Sequence, residues 1–271
     1  MKIVLIVCVV LILLYLFLIW PRVFHKPDRT GFMNVHYAHR GLHDNETDAP
    51  ENSLSAFQKA VDAGYGMELD VQLTKDEIPV VFHDASLKRM CGVDGKVWKY
   101  TYEELKQFKL AKSNETIPTF ESVLKLIDGK YPLIVEYKLD RPQTRVCELG
   151  NELLSRYHGT YCIESFHPFA LMWYKKHRPD VMRGQLSEEF FREKEFKSHK
   201  IYTLVAFLLT NVLTRPDFIA YNHKYESNIS RRICRKLGAL SVAYTIQSQK
   251  QYEKAKNKFD LFIFDSFIPE D

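Results

Sequence analysis

The sequence predicts a (β/α)8 barrel preceded by one N-terminal transmembrane helix. Two patterns predict it. An uncharged apolar run over residues 3–20 opens the chain, and short apolar runs then alternate with longer amphipathic stretches. Eight strands separated by helices are the pattern of a parallel barrel, and about 240 residues beyond the first run is a fitting size. An open doubly wound sheet is the structural alternative, but no glycine-rich dinucleotide fingerprint supports it. With 271 residues, 46% of them hydrophobic, the chain can build one large domain around a substantial core.

The elements follow in order. Residues 1–20 are expected to form a membrane anchor: at about 1.5 Å per residue the apolar run just crosses the roughly 30 Å hydrocarbon layer. A cleaved signal peptide is the rival. Against it, the run is too long for an ordinary signal core, and Trp20-Pro21-Arg22 follows in place of a small-residue cleavage site. Lys2 and the amino terminus flank one side, and Arg22, Lys26 and Arg29 the other. That balance tilts the barrel towards the cytoplasm and leaves the side open. Residues 21–34 read as a short polar linker and 35–271 as the barrel. Strands are expected at 35–39, 66–73, 132–138, 161–165, 182–186, 217–221, 240–245 and 261–265. Helices are expected at 52–63, 119–128, 143–157, 168–177, 227–237 and 247–258.

The net charge of +4 is mild, and no nucleic-acid motif is present. The basic pairs Arg231-Arg232 and Arg235-Lys236 read as the solvated face of a helix. Cys8, Cys91, Cys147, Cys162 and Cys234 are scattered without a CxxC, as in a chain of reduced thiols rather than a disulfide framework or zinc site.

The chemistry concentrates between His39 and Asp84. Glu68 and Asp70 sit at i and i+2 in an otherwise apolar strand, so their side chains share a face. Two carboxylates there repel unless a positive charge lies between them, and a hard divalent cation with oxygen ligands suits that role. Glu136 and Lys138 repeat the spacing on the next barrel strand. His39 and His83 are groups that titrate near neutral pH, and Arg40 offers a fork for phosphate. In a barrel the active site lies at the carboxyl ends of the strands, where these residues fall. Each also has a plain structural reading. His39 could cap or lie on the surface, Asp84 could cap a following helix, Asn52-Ser53 could simply start one, and Glu136 could pair with Lys138 alone.

Taken together, His39-Arg40-Gly41, Pro50-Glu51-Asn52-Ser53, Glu68-x-Asp70, Thr74-Lys75-Asp76, His83-Asp84, Ile117-Pro118-Thr119 and Glu136-x-Lys138 resemble the glycerophosphodiester phosphodiesterase family. The resemblance spans nearly everything after the anchor. Ser165-Phe166 agrees with it more loosely. Tyr244-Thr245 stands where a Trp-Thr pair is usual, and Phe264-Asp265 where a Thr-Asp is frequent. These departures bear on substrate choice more than on chemistry.

The resemblance implies that Glu68, Asp70 and Glu136 hold one divalent cation, Mg²⁺ or Ca²⁺. It implies His39 and His83 as the acid–base pair and Arg40 and Lys138 as phosphate contacts. It also implies an insertion of ordinary length over about 85–115. The expected activity is hydrolysis of glycerophosphodiesters to sn-glycerol 3-phosphate and an alcohol. Lysophospholipase D-like hydrolysis of lysophospholipids in the bilayer is the near alternative, and sphingomyelinase D-like activity ranks below it because the matching disulfide loop is missing. A non-catalytic, membrane-tethered phosphate-binding protein is the alternative of another class; loss of a catalytic residue would mark it, and none is lost.

Overall fold

The computed structural model describes residues 1–139, 143–192 and 200–270. In chain order it contains α1 (Lys2–Ile19), β1 (His36–His39), α2 (Leu54–Ala63), β2 (Gly66–Leu73), β3 (Pro79–Val81), α3 (Lys88–Cys91), α4 (Tyr102–Leu105), α5 (Phe120–Ile127) and β4 (Leu133–Tyr137). There follow α6 (Arg145–Leu154), β5 (Tyr161–Ser165), α7 (Pro168–His177), β6 (Arg183–Ser187), α8 (Lys200–Ala206), α9 (Asn211–Thr214), β7 (Phe218–Asn222), α10 (Ile229–Lys236), β8 (Leu240–Ile246), α11 (Gln249–Ala255) and β9 (Leu261–Phe264).

Every strand but β3 is parallel to its neighbours, and β1 pairs with both β2 and β9, so the sheet closes into an eight-stranded barrel. All eight expected strands are present, with ends shifted by a residue or so. The predicted anchor segment is α1, one helix long and apolar enough to cross a membrane.

Alternation along the strands builds two cores. Met67, Leu69, Val71, Val135 and Ile163 point outward and pack with α2, α5, α6 and α7. Tyr37, Ile134, Cys162, Phe218, Val242 and Ile263 fill the barrel interior together with Phe32. Gly66 is required here, since a Cβ would lie 2.8 Å from the Tyr37 ring. With its floor filled by apolar side chains, the barrel keeps its polar groups at the carboxyl ends.

The insertion expected over 85–115 carries α3 and α4 and a small core of its own, in which Leu87, Met90, Val97, Leu105 and Leu110 pack with Val80 and Phe82. Three features depart from the sequence reading. A short antiparallel strand, β3, folds back on β2. The helices α8 and α9 lie between β6 and β7. The basic pairs of α10 are not wholly solvated: Arg231 is buried, donating to Ser241 Oγ at 2.7 Å and the Lys258 carbonyl at 2.9 Å. Arg235 pairs with Asp260 at 2.7 Å.

Residues 21–34, expected as a linker, lie along the amino-end face of the barrel. The Arg22 amide donates to the Pro216 carbonyl, Lys26 to the Gly238 carbonyl at 2.6 Å, and Tyr37 to the Phe32 carbonyl at 2.9 Å. The last turns of α1 are equally engaged. A helix end leaves carbonyls without intrahelical partners, and here the barrel supplies donors. Arg215 reaches the carbonyls of Phe17 at 3.0 Å and Trp20 at 2.8 Å, and Asn211 reaches that of Ile19 at 3.0 Å. Ile19 is wholly buried, and Tyr15 bonds Ser230 at 2.7 Å.

Candidate active site

The residues singled out by sequence meet at the carboxyl-end mouth. Glu68 and Asp70 on β2 and Glu136 on β4 share the barrel interior, and one carboxylate oxygen from each lies within 4.8 Å of the others. All three are buried, as is Glu164 on β5. Register explains the meeting, because Asp70 lies beside Glu136 and Glu136 beside Glu164 on adjacent strands. Lys138, just past β4, reaches Asp70 at 3.0 Å and Glu136 at 2.7 Å. Arg40 lies 3.5 Å from Asp70, and its backbone N–H donates to Glu68 at 3.2 Å.

A tight connection from β1 to α2 delivers Arg40. Arg40 (φ 56°) and Gly41 (φ 81°) both adopt left-handed backbone. At Gly41 a side chain would also lie 2.9 Å from the Ala56 carbonyl carbon, so glycine is needed on both counts. Asn52 (φ 58°) donates from its side chain to Asp70 at 2.8 Å. Ser53 caps α2 by accepting from the Ala56 amide at 3.1 Å, as the sequence suggested.

Electrostatics follow from four buried carboxylates facing two cations. Burial and the neighbouring Asp70, Glu136 and Glu164 push Glu68 well above the usual carboxylate range. Burial, aided by Asp70, pushes Glu136 up to about 7 against the pull of Lys138. At Asp70 burial is outweighed by Lys138, His83, Arg40 and the Asn52 hydrogen bond, which hold it well below that range. Glu164 also titrates high, through burial and Glu136, and its Oε2 has no hydrogen-bond partner. A hard divalent cation suits such a cluster: three convergent buried oxygen donors and surplus negative charge are what it binds.

Two histidines flank the cluster. His39 Nε2 stands 4.0 Å from Glu68, and its Nδ1 faces Asp265 at 3.3 Å. Burial and Arg40 lower its pKa to about 4, against Asp265 and Asp70. His83 Nδ1 bonds Asp84 at 2.8 Å; burial and Lys138 lower its pKa, opposed by Asp70 and Asp84. Asp84 caps no helix. Its carboxylate instead joins His83 to Arg89, which also grips Glu51 at 2.7 Å. Glu51 in turn holds Arg40 at 2.6 Å.

Several supporting residues had not been assigned roles from the sequence. Glu51, Asn52 and Asp265 lie within quoted motifs, but their contacts arise only on folding. Glu164 carried the same signal as Glu68, an acid inside an apolar strand, and could have been found by it. Beside Lys138 a cleft of about 220 Å³ opens, walled by Gln72, Thr74, Leu139 and Trp98.

Comparison with known proteins agrees with this geometry. The glycerophosphoryl diester phosphodiesterase family profile matches residues 39–265. A glycerophosphodiester phosphodiesterase of Bacillus altitudinis is 32% identical over 171 residues, covering 59% of this chain and 69% of that protein. A lysophospholipase D of Rattus norvegicus is 37% identical over 135 residues, covering 49% of this chain and 41% of that protein. An Oleispira antarctica phosphodiesterase, solved in complex with the product sn-glycerol-3-phosphate, shares the fold at TM-score 0.70 and 24% identity, covering 86% of this chain and 93% of its own.

Proposed function

This chain belongs to the glycerophosphoryl diester phosphodiesterase family and is a phosphoric diester hydrolase, and we propose that it cleaves glycerophosphodiesters to sn-glycerol 3-phosphate and an alcohol with one divalent cation and two histidines. The observation that carries the reading is the set of Glu68, Asp70 and Glu136 oxygens within 4.8 Å, bordered by Lys138, Arg40 and both histidines. Glu68, Asp70 and Glu136 would hold Mg²⁺ or Ca²⁺ there, and such an ion would supply Lewis-acid polarisation of the phosphoryl group.

The chain's own groups do the rest. Arg40 and Lys138 stabilise the equatorial oxygens as charge builds. His39, neutral at physiological pH because burial holds its pKa near 4, takes the proton of the attacking hydroxyl at Nε2 while Asp265 fixes its other nitrogen. His83, whose Nδ1 is held by Asp84, donates from Nε2 to the leaving alcohol. On glycerol diesters the attacker is the neighbouring glycerol hydroxyl, and water then opens the cyclic phosphate. Each histidine carries an aspartate on Nδ1; the pKa of about 4 at His39 supports a neutral base there and leaves the donor role to His83.

We read α1 as a retained membrane anchor, since a segment destined for removal has no reason to share its terminal carbonyls with Arg215 and Asn211. That reading, with the likeness to a lysophospholipase D, favours lysophospholipids as a second substrate class.

The test uses full-length protein in mild detergent, with glycerophosphocholine and lysophosphatidylcholine in parallel, each in Mg²⁺, Ca²⁺ or EDTA, reading choline and the phosphorylated product. Turnover abolished by EDTA and restored by one of the metals is expected. Turnover indifferent to EDTA would sink the metal site. Turnover of lysophosphatidylcholine alone would make the second class the substrate.

A further inference from the structure

The direction in which α1 leaves the barrel has a bearing on the substrate. Tyr15 contacts Ser230, near the start of α10, and the Ile19 carbonyl contacts Cys234, one turn further down. So α1 runs alongside α10 in the same sense. Barrel helices run from the carboxyl ends of the strands back to their amino ends. The start of α10 therefore marks the mouth, and the free part of α1 rises past it. Residues 1–14 are all exposed, whereas Ile19 is wholly buried. At the far end the chain passes to the amino-end face, where the Arg22 amide bonds the Pro216 carbonyl.

The exposed part of α1 leaves the barrel on the side of the mouth, so a bilayer spanned by it lies on that side, next to the rim.

That rim is apolar. Phe169 follows β5, Leu204 and Phe207 follow β6, Ile229 follows β7 and Ile268 follows β9, and they are 37–54% exposed. The buried face of α8 packs Val205 and Ala206 on Phe166 and Phe190. The Val205 carbonyl accepts from Ser187 at the end of β6, which fixes α8 beside the carboxyl end of that strand. Exposed apolar side chains gathered at one end of the barrel mark a surface that meets a partner or a membrane, and Ile229, next to the Ser230 that Tyr15 of α1 bonds, ties this one to the anchor and so selects the membrane.

We infer that the rim made by Phe169, Leu204, Phe207, Ile229 and Ile268 enters the lipid interface, so that the active-site mouth opens against the bilayer and takes the headgroup of a membrane phosphodiester from it. The inference rests on α1 being the anchor.

Full-length L204W, I229W and F24W variants reconstituted in phosphatidylcholine vesicles test it, with acyl-brominated lipid as quencher and wild-type emission subtracted. Phe24 is 78% exposed and lies on the amino-end face. The added tryptophans at 204 and 229 should be quenched several-fold more than that at 24. Equal quenching, or stronger quenching at 24, in protein that floats with the vesicles would overturn the inference. Protein that does not float would overturn the anchor itself, a separate reading made on the same sample. As a second measure, L204D and I229D should lower turnover of vesicle-borne lysophosphatidylcholine several-fold and leave soluble glycerophosphocholine turnover unchanged. Equal loss on both substrates would count against a membrane-facing rim. The quenching result does not depend on catalysis, so inactivity towards either diester would fault the proposed chemistry and not the orientation.

Discussion

His39 and His83 share one arrangement: each has an aspartate on Nδ1, and burial lowers the pKa of each, to about 4 at His39. The proposed mechanism gives them opposite tasks. Removing a general acid or base costs about 10²–10⁴-fold in rate. His39→Ala and His83→Ala should therefore lose that much turnover and keep a wild-type circular dichroism melt. Activity within a few-fold of wild type in either variant would cancel its role. Glu51 makes a different prediction. Burial opposes its ionisation, but Arg89, Arg40 and Asn45 lower its pKa to about 2. An unfolded glutamate titrates near 4.3. The stabilisation is thus complete above that pH and fades as pH falls towards 2. Urea midpoints of wild type and Glu51→Gln should differ at pH 6 and converge as the pH falls through this interval.

At the scale of elements, the connection from β1 to α2 concentrates the most constraint. It turns through left-handed residues at Arg40 and Gly41 and so points Arg40 back at Asp70. Gly41→Ala should lower the thermal midpoint and the turnover together. A left-handed non-glycine residue costs of order 1–3 kcal/mol, and the clash with Ala56 adds to it. An unchanged midpoint would show that the turn relaxes freely. The eight barrel strands were legible because each is a run of apolar residues bounded by polar ones. β3 was not, being three residues long and beginning with proline. Glu68, Asp70 and Glu136 were legible because acids interrupt apolar strands. The grip of Asp265 on His39 spans 226 positions, and that of Arg89 on Glu51 spans 38. No local pattern carries such contacts. Arg231 misled for the opposite reason, since its helical surroundings are basic and the oxygens of Ser241, Lys258 and Glu226 that receive it come from elsewhere in the fold.

For the molecule as a whole, the segment before the barrel belongs to the folded unit. A chain beginning at residue 15 should melt close to full length, because the residues removed are all exposed. One beginning at residue 22 empties the site of Ile19 and leaves Asn211 and Arg215 without acceptors. Burying an isoleucine side chain is worth about 1.5–3 kcal/mol. A clearly lower thermal midpoint is therefore expected, and equal midpoints for the two truncations would show that the docked turn adds nothing.

The docked end of α1 also sets an order of events during biosynthesis. Its Ile19 carbonyl is held by Asn211, 192 positions later in the chain, and its Tyr15 hydroxyl by Ser230, 215 positions later. At about 5–20 residues per second, roughly 10–40 s separate synthesis of the helix from that of its partners. Through that interval α1 lacks the barrel surface on which its last turns rest. With α1 read as the anchor, lipid shelters it first, and the barrel completes its wall where the helix already is.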